Sequence, residues 1–204
     1  EESLDRFSDS EIYNYGVESG KILKKIHSIP APENMEDWEP FFNRKMDRKI
    51  RMYQQCPLKY ENGEAFIDFI EANRHLLKNR PRTYQHGDYH IGNMMVEDGR
   101  LVIIDFDRMD YGDPWEEFNR IVWCAQKSPI FATGMVEGYF WDDVPQEFWS
   151  LLALYTCSNM LNGYKNYINP TIIEERQMNM QSWDVFSRLM AERIIYLGDG
   201  INSD

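Results

Sequence analysis

Apolar residues recur at helical spacing through the first third of the chain. After Ser8-Asp9-Ser10-Glu11, a capping-box pattern, apolar positions follow every three or four residues, and the helix is expected to end near His27, before Pro30. The same periodicity predicts further helices over residues 38–55 and 65–77. The first third of the chain is therefore predicted to be helical.

The periodicity changes between residues 82 and 104. Residues 82–85 are short and extended, and two apolar runs, 94–96 and 101–104, flank Asp98-Gly99. An Asp-Gly turn between two apolar runs is a strong hairpin signal. A small β element is thus predicted inside a helical chain.

Helical signals return after the hairpin. Asp113-Pro114 with Glu116 predicts a capped helix start, and Ser128-Pro129, Pro145 and the segment after Asn169-Pro170 predict further helices. The predicted fold class is mainly α with a small β-hairpin (α+β). We expect one domain over 1–204: a helical part (1–82), a loop and hairpin (83–107) and a second helical part (108–204).

Composition excludes several classes of function. No apolar run approaches the ~20 residues that span a bilayer, so no membrane association is expected. The net charge of −12 argues against nucleic acid as a partner and favours cationic small molecules. Three widely separated cysteines predict reduced thiols and a cytoplasmic protein.

Oxygen-bearing side chains occur at both ends of the predicted hairpin. Asp88 and Asn93 precede its first strand, and Asp105 follows its second strand. Because a hairpin returns the chain to its starting point, we expect these three side chains to converge. Carboxylate and amide oxygens suit Mg²⁺, and a second nearby acid can serve as a general base.

The same residues carry a resemblance to a known family. Residues 86–93 (HGDYHIGN) match the H-G-D-x-H-x-G-N loop of the aminoglycoside phosphotransferase and choline kinase-like family, and 104–107 (IDFD) match its I-D-F-[DE] motif. Residues 112–114 with Glu117 resemble its G-D-P-x-x-[DE] stretch, and residues 16–27 resemble its G-x-x-L-x-x-x-H helix. The resemblance implies the C-terminal helical lobe of a protein-kinase-like phosphotransferase.

The resemblance also implies a role for each residue of the motif. Asp88 would accept the proton of the substrate hydroxyl, and His86 would brace the loop. Asn93 and Asp105 would hold Mg²⁺ on the phosphates of ATP or GTP, the phosphoryl donor. Asp107 would reach a second metal ion or form a salt bridge with Arg108.

The acceptor is expected to be a cationic or hydroxylated small molecule bound by acidic side chains of the helical lobe. The candidates for acceptor binding are five acids that follow the I-D-F-[DE] motif in the sequence: Glu137, Asp142, Asp143, Glu174 and Glu175.

One part of the family's machinery has no counterpart in these 204 residues. No G-x-G-x-x-G loop and no strand lysine precede the catalytic loop. We therefore expect the chain to lack its N-terminal nucleotide lobe, as a segment of a longer protein or as a natural short form, and to turn over poorly alone. Two alternatives stay open: a non-catalytic binding module that keeps the acceptor cleft, and a Mg²⁺-dependent phosphohydrolase.

Overall fold

The computed structural model describes residues 4–57, 59, 63–141 and 143–162. Six α-helices and four short strands form in this part of the chain. The helices are α1 (Asp9–Ile26), α2 (Trp38–Gln55), α3 (Gly63–Asn73), α4 (Ile121–Lys127), α5 (Pro129–Phe140) and α6 (Gln146–Asn162). The strands are β1 (Thr83–Gln85), β2 (Met94–Glu97), β3 (Arg100–Ile103) and β4 (Asp110–Gly112), and 3-10 helices cover Leu4–Arg6, Arg74–Leu77, Ile91–Asn93 and Glu116–Arg120.

The chain folds into two compact units, and the motifs lie in the first, residues 1–35 with 81–145. Its framework is the close pair of helices α1 and α5. Glycines line the seam, and a Cβ atom at Gly20 or Gly138 would overlap a backbone carbonyl of the opposite helix. Only glycine permits this approach, which brings the two backbones into contact.

Two small antiparallel sheets complete the first unit. Strand β2 pairs with β3 as the predicted hairpin, and Asp98 and Gly99 at its turn both have positive φ, +50° and +74°. Such a turn matches the right-handed twist of the strands. Strand β1 pairs with β4, with Tyr84 opposite Tyr111.

The second unit contains residues 36–80 and 146–204. In its described part an aromatic cluster joins α2 to α6: Trp38 stacks on Phe42 with centroids 5.0 Å apart, and its Nε1 donates to Tyr155 Oη at 2.9 Å. Lys49 is buried beside them and donates to Asn159 Oδ1 at 2.8 Å. The unit therefore has its own core.

The predicted fold class, mainly α with a small β-hairpin, is confirmed. Helices α1 and α2 have the predicted bounds, and Ser8 makes the predicted capping box with Glu11. One start was wrong: Pro114 lies in a turn, and the helical region begins only at Glu116, as a 3-10 helix. Strand β4 was not predicted. The final predicted helices, beyond Asn169, lie outside the described residues.

Among the helices of the described ranges, none combines the length and the apolarity needed to cross a bilayer.

Candidate active site

The loop 86–93 connects β1 to β2, and its backbone is bound by the buried carboxylate of Glu117. Glu117 accepts hydrogen bonds from the backbone N–H of His86 at 3.0 Å and of Gly87 at 2.5 Å. Gly87 has φ +85°, and a Cβ there would overlap the carbonyl of Arg108. The loop backbone therefore depends on a glycine and on an acid 30 residues away.

Glu117 is itself fixed by helix α1. His27, the C-cap of that helix, places Nε2 3.0 Å from the Glu117 carboxylate and Nδ1 3.0 Å from the hydroxyl of Tyr139. Glu117 is 3% exposed and His27 6% exposed. This buried network joins α1, α5 and the loop 86–93.

His86 links the loop to the end of the hairpin. Its ring Nδ1 accepts from the backbone N–H of Asp88 at 3.2 Å, and its Nε2 lies 2.9 Å from the carbonyl oxygen of Ile104. The ring is fully buried and packs against Phe106 at a centroid distance of 4.3 Å. Because one nitrogen accepts, the other carries the proton and donates to Ile104.

Two hydrogen bonds close the loop 86–93 and connect it to the end of the hairpin. Asn93 Nδ2 donates to the carbonyl oxygen of Asp88 at 2.9 Å, and the N–H of Ile104 donates to the carbonyl oxygen of Asn93 at 3.0 Å. Asp105 follows directly, with φ +64°, and is exposed. Asp107 is exposed two residues later. These bonds bring the segments that carry Asp88, Asn93 and Asp105 to one end of the hairpin.

Asp88 is buried but makes few close contacts. The residue is 8% exposed, and Oδ1 makes no hydrogen bond in the described part of the protein. Three side chains that can carry positive charge surround the carboxylate: Arg108 Nη1 at 3.4 Å from Oδ2, and Arg120 Nε at 3.5 Å and His90 Nε2 at 3.7 Å from Oδ1. The carboxylate is balanced by charge but not held by short hydrogen bonds.

An aromatic side chain supports two of these three partners. The indole of Trp123 lies edge-on to the His90 ring at 5.2 Å and beneath the Arg120 guanidinium at 4.8 Å. Burial lowers the pKa of His90, which also accepts from the Gly92 N–H through Nδ1 at 3.0 Å. A neutral His90 ring fits both observations.

The oxygen atoms at the hairpin end suit a hard cation. Asn93 uses Nδ2 for the loop, which leaves Oδ1 for another partner, and Asp105 and Asp107 are exposed carboxylates. Within the ranges that the structure covers, no three His, Cys, Asp or Glu side chains are grouped as a metal site. Mg²⁺ takes one or two protein carboxylates and keeps other ligands from water and phosphate, so an amide oxygen and two exposed carboxylates are donors of a suitable kind.

Two of the five acceptor candidates, Glu137 and Asp143, lie in the described part of the chain. Glu137 on α5 accepts a short hydrogen bond from the hydroxyl of Tyr13 on α1, and Asp143 is exposed beyond the end of α5. Asp142, Glu174 and Glu175 lie outside the described residues.

A model of the phosphotransferase enzyme family matches residues 1–149 of the chain. The chain belongs to this family. Solved structures show the corresponding kinase-like fold. A choline/ethanolamine kinase family protein from Mesorhizobium loti is 13% identical, with a TM-score of 0.64 over 90% of this chain and 65% of its own. APH(2")-IIa, in a ternary complex with streptomycin and ATP, is 19% identical, with a TM-score of 0.59 over 83% and 61%.

A third phosphotransferase structure is the amicoumacin kinase hAmiN with AMP-PNP, Ca²⁺ and Ami, 11% identical with a TM-score of 0.53 over 91% of this chain and 61% of its own. The chain thus spans less than two thirds of the length of each of these structures.

Curated relatives match over a short segment. The ATP-dependent Clp protease proteolytic subunit of Porphyromonas gingivalis is 65% identical over 37 residues, which are 18% of this chain and 17% of that protein. A Bacteroides fragilis subunit is 50% identical over 44 residues, 22% of this chain and 21% of its own. A match of this length does not define the family of the chain, which spans about a fifth of these relatives.

Sequence reasoning missed the cationic surroundings of Asp88. Arg108 is close to the metal motif in sequence, but its pairing with Asp88 gives no local signal. Arg120 and Trp123 belong to no motif. Arg120 ends the 3-10 helix Glu116–Arg120 and lies 3.5 Å from Asp88, and Trp123 on α4 contacts Arg120 and His90. For Glu117, the G-D-P-x-x-[DE] pattern was the available signal.

Proposed function

We propose that this phosphotransferase moves the γ-phosphate of ATP or GTP to a hydroxyl group of a small-molecule acceptor. The observation that carries the proposal is the buried, hydrogen-bond-poor carboxylate of Asp88 at the hairpin end, on a loop whose backbone is fixed by Asn93, His86 and Glu117. A general base needs a free oxygen and a fixed position, and Asp88 combines both.

Each residue has a defined task in the proposed reaction. Asp88 accepts the proton of the acceptor hydroxyl, and His86 holds the loop backbone against the carbonyl oxygen of Ile104. Asn93, Asp105 and Asp107 would hold Mg²⁺, which neutralises charge on the donor phosphates when it is bound. Positioning and neutralisation account for most of the catalysis in this chemistry.

The proposal treats residues 1–204 as one catalytic and acceptor-binding lobe, with its acceptor side in 108–204. The fold holds donor phosphates with a glycine-rich loop and a strand lysine, and neither motif occurs in the sequence. We expect these 204 residues alone to transfer phosphate slowly. The three cysteines are free and buried, which supports a reducing compartment such as the cytoplasm.

Transfer from γ-labelled ATP or GTP, with and without Mg²⁺, tests the function. The complete gene product and the 204-residue chain are assayed in parallel against a panel of hydroxylated acceptors. We expect Mg²⁺-dependent transfer by the complete product, at least about 100-fold lower after Asp105→Asn and unchanged after Glu97→Gln, an exposed carboxylate of the same hairpin.

Three outcomes would contradict parts of the proposal. Release of phosphate from a monoester without any acceptor would favour the phosphohydrolase. Acceptor binding that ignores Mg²⁺-nucleotide and survives Asp105→Ala, with no transfer, would favour the binding module. Fast transfer by the 204-residue chain alone would refute only the expected need for a further nucleotide lobe.

A further inference from the structure

We propose that the acceptor is a hydroxy acid, and that Arg120 binds its carboxylate beside the base. The inference rests on the proposed function and specifies its substrate class. It replaces the cationic part of the expected 'cationic or hydroxylated' acceptor, which was based on the net charge and on acidic side chains of the helical lobe.

The N–H donors of the Arg120 guanidinium make no hydrogen bond in the part of the protein that the structure describes. Its Nε lies 3.5 Å from Asp88 Oδ1, beyond the usual length of a hydrogen bond. The side chain is 29% exposed. A guanidinium carries five N–H donors in a fixed fork, and that fork matches the two oxygens of a carboxylate.

The orientation of Arg120 is fixed before any ligand arrives. The guanidinium lies over the ring of Trp123 at 4.8 Å, and this ring also contacts His90. Stacking on an aromatic face holds the plane of the fork, so little side-chain freedom is lost when a planar anion binds.

Charge around the base favours an anionic partner over a cationic one. Arg108 already pairs with Asp88 Oδ2 at 3.4 Å, so the single negative charge of Asp88 faces two guanidinium groups. Of the described acids proposed for a cationic acceptor, Glu137 is engaged by Tyr13 and Asp143 follows the end of α5. An ammonium group beside Asp88 would therefore meet two like charges, whereas a carboxylate would complete the balance.

A matched pair of probes tests this directly in the 204-residue chain. 3-Hydroxypropanoate and 3-aminopropan-1-ol have the same chain length and one hydroxyl each, and they differ in the sign of the second group. Dissociation constants are measured by calorimetry at low ionic strength in the wild type, Arg120→Gln, Arg120→Lys and Arg100→Gln. Arg100, exposed at the turn of the hairpin, is the control for loss of one positive charge.

We expect the wild type to bind 3-hydroxypropanoate at least about tenfold more tightly than the amine. Arg120→Gln should weaken the carboxylate by about tenfold or more, Arg120→Lys by less, and Arg100→Gln should leave it unchanged. Thermal unfolding of each variant confirms that it is folded.

Tighter binding of the amine, equal binding of both probes, failure of both to bind, or equal losses in the Arg120 and Arg100 variants would overturn the inference. None of these outcomes bears on phosphoryl transfer, because the binding measurement needs neither Mg²⁺ nor nucleotide. Conversely, absence of Mg²⁺-dependent transfer with a bound hydroxy acid would refute the proposed function while the carboxylate site stands.

Discussion

Two buried acids, Asp88 in the loop 86–93 and Glu117 bonded to the backbone of that loop, have opposite surroundings. Glu117 is surrounded by short hydrogen bonds from His86, Gly87 and His27, whereas Asp88 has cationic neighbours at 3.4–3.7 Å and an oxygen without a hydrogen bond. A fully bonded carboxylate holds the backbone in place but cannot take up a proton without losing its partners. Glu117 therefore holds the loop backbone, whereas Asp88 has the unbonded oxygen that the proposed general base needs.

The largest expected effect is the loss of enzymatic activity when Asp88, the proposed general base, is replaced. Asp88→Asn keeps the shape of the side chain but removes the base, so kcat of the complete gene product should fall by about 10²–10⁴-fold. Because the Asp88 side chain makes no short hydrogen bond, the free energy of unfolding should change by only about 1 kcal/mol or less. Rate assays and urea titrations measure the two quantities, and an unchanged rate would remove Asp88 from the mechanism.

The second expected effect is on the stability of the loop that Glu117 maintains. Glu117→Ala leaves two buried N–H groups and the ring of His27 without their acceptor, and it should cost about 3–5 kcal/mol of unfolding free energy. The measurement is urea unfolding followed by circular dichroism. Glu97→Ala, an exposed acid of the hairpin, is the control and should stay within about 0.5 kcal/mol. Equal losses in the two variants would contradict the comparison.

The smallest expected effect concerns pH and His90. Burial lowers the pKa of His90 below its ordinary value of 6.5, so below pH 6.5 the unfolded chain binds a proton that the folded protein does not. Stability should therefore fall as the pH drops from about 6.5 toward the folded pKa, by at most about 1.4 kcal/mol per pH unit for one group. His90→Gln should flatten this slope, measured by urea titration at several pH values.

His75, an exposed histidine in the 3-10 helix Arg74–Leu77, provides the control for that measurement. If His75→Gln flattened the slope of unfolding free energy against pH as much as His90→Gln does, the pH dependence would not come from the burial of His90.

Much of the local structure could be predicted because its signals are local. The Ser8 capping box, the Asp98-Gly99 turn and Ser128-Pro129 each act within a few residues, and the corresponding elements form as expected. Strand β4 was missed because Asp110–Gly112 has only three residues and no alternation. It becomes a strand through pairing with β1, more than 20 residues earlier.

The order and spacing of the motifs in the sequence determined the family, the helical fold and the position of the loop relative to the hairpin. Only the tertiary structure decided that Glu117 accepts hydrogen bonds from the loop, that Asp88 Oδ1 accepts none, and that Arg120, stacked on Trp123, lies 3.5 Å from Asp88. The physical reason is the range of the interactions. Caps and turns are made by neighbours along the chain, whereas the burial and charge of a carboxylate depend on residues that packing brings from 20 to 90 positions away.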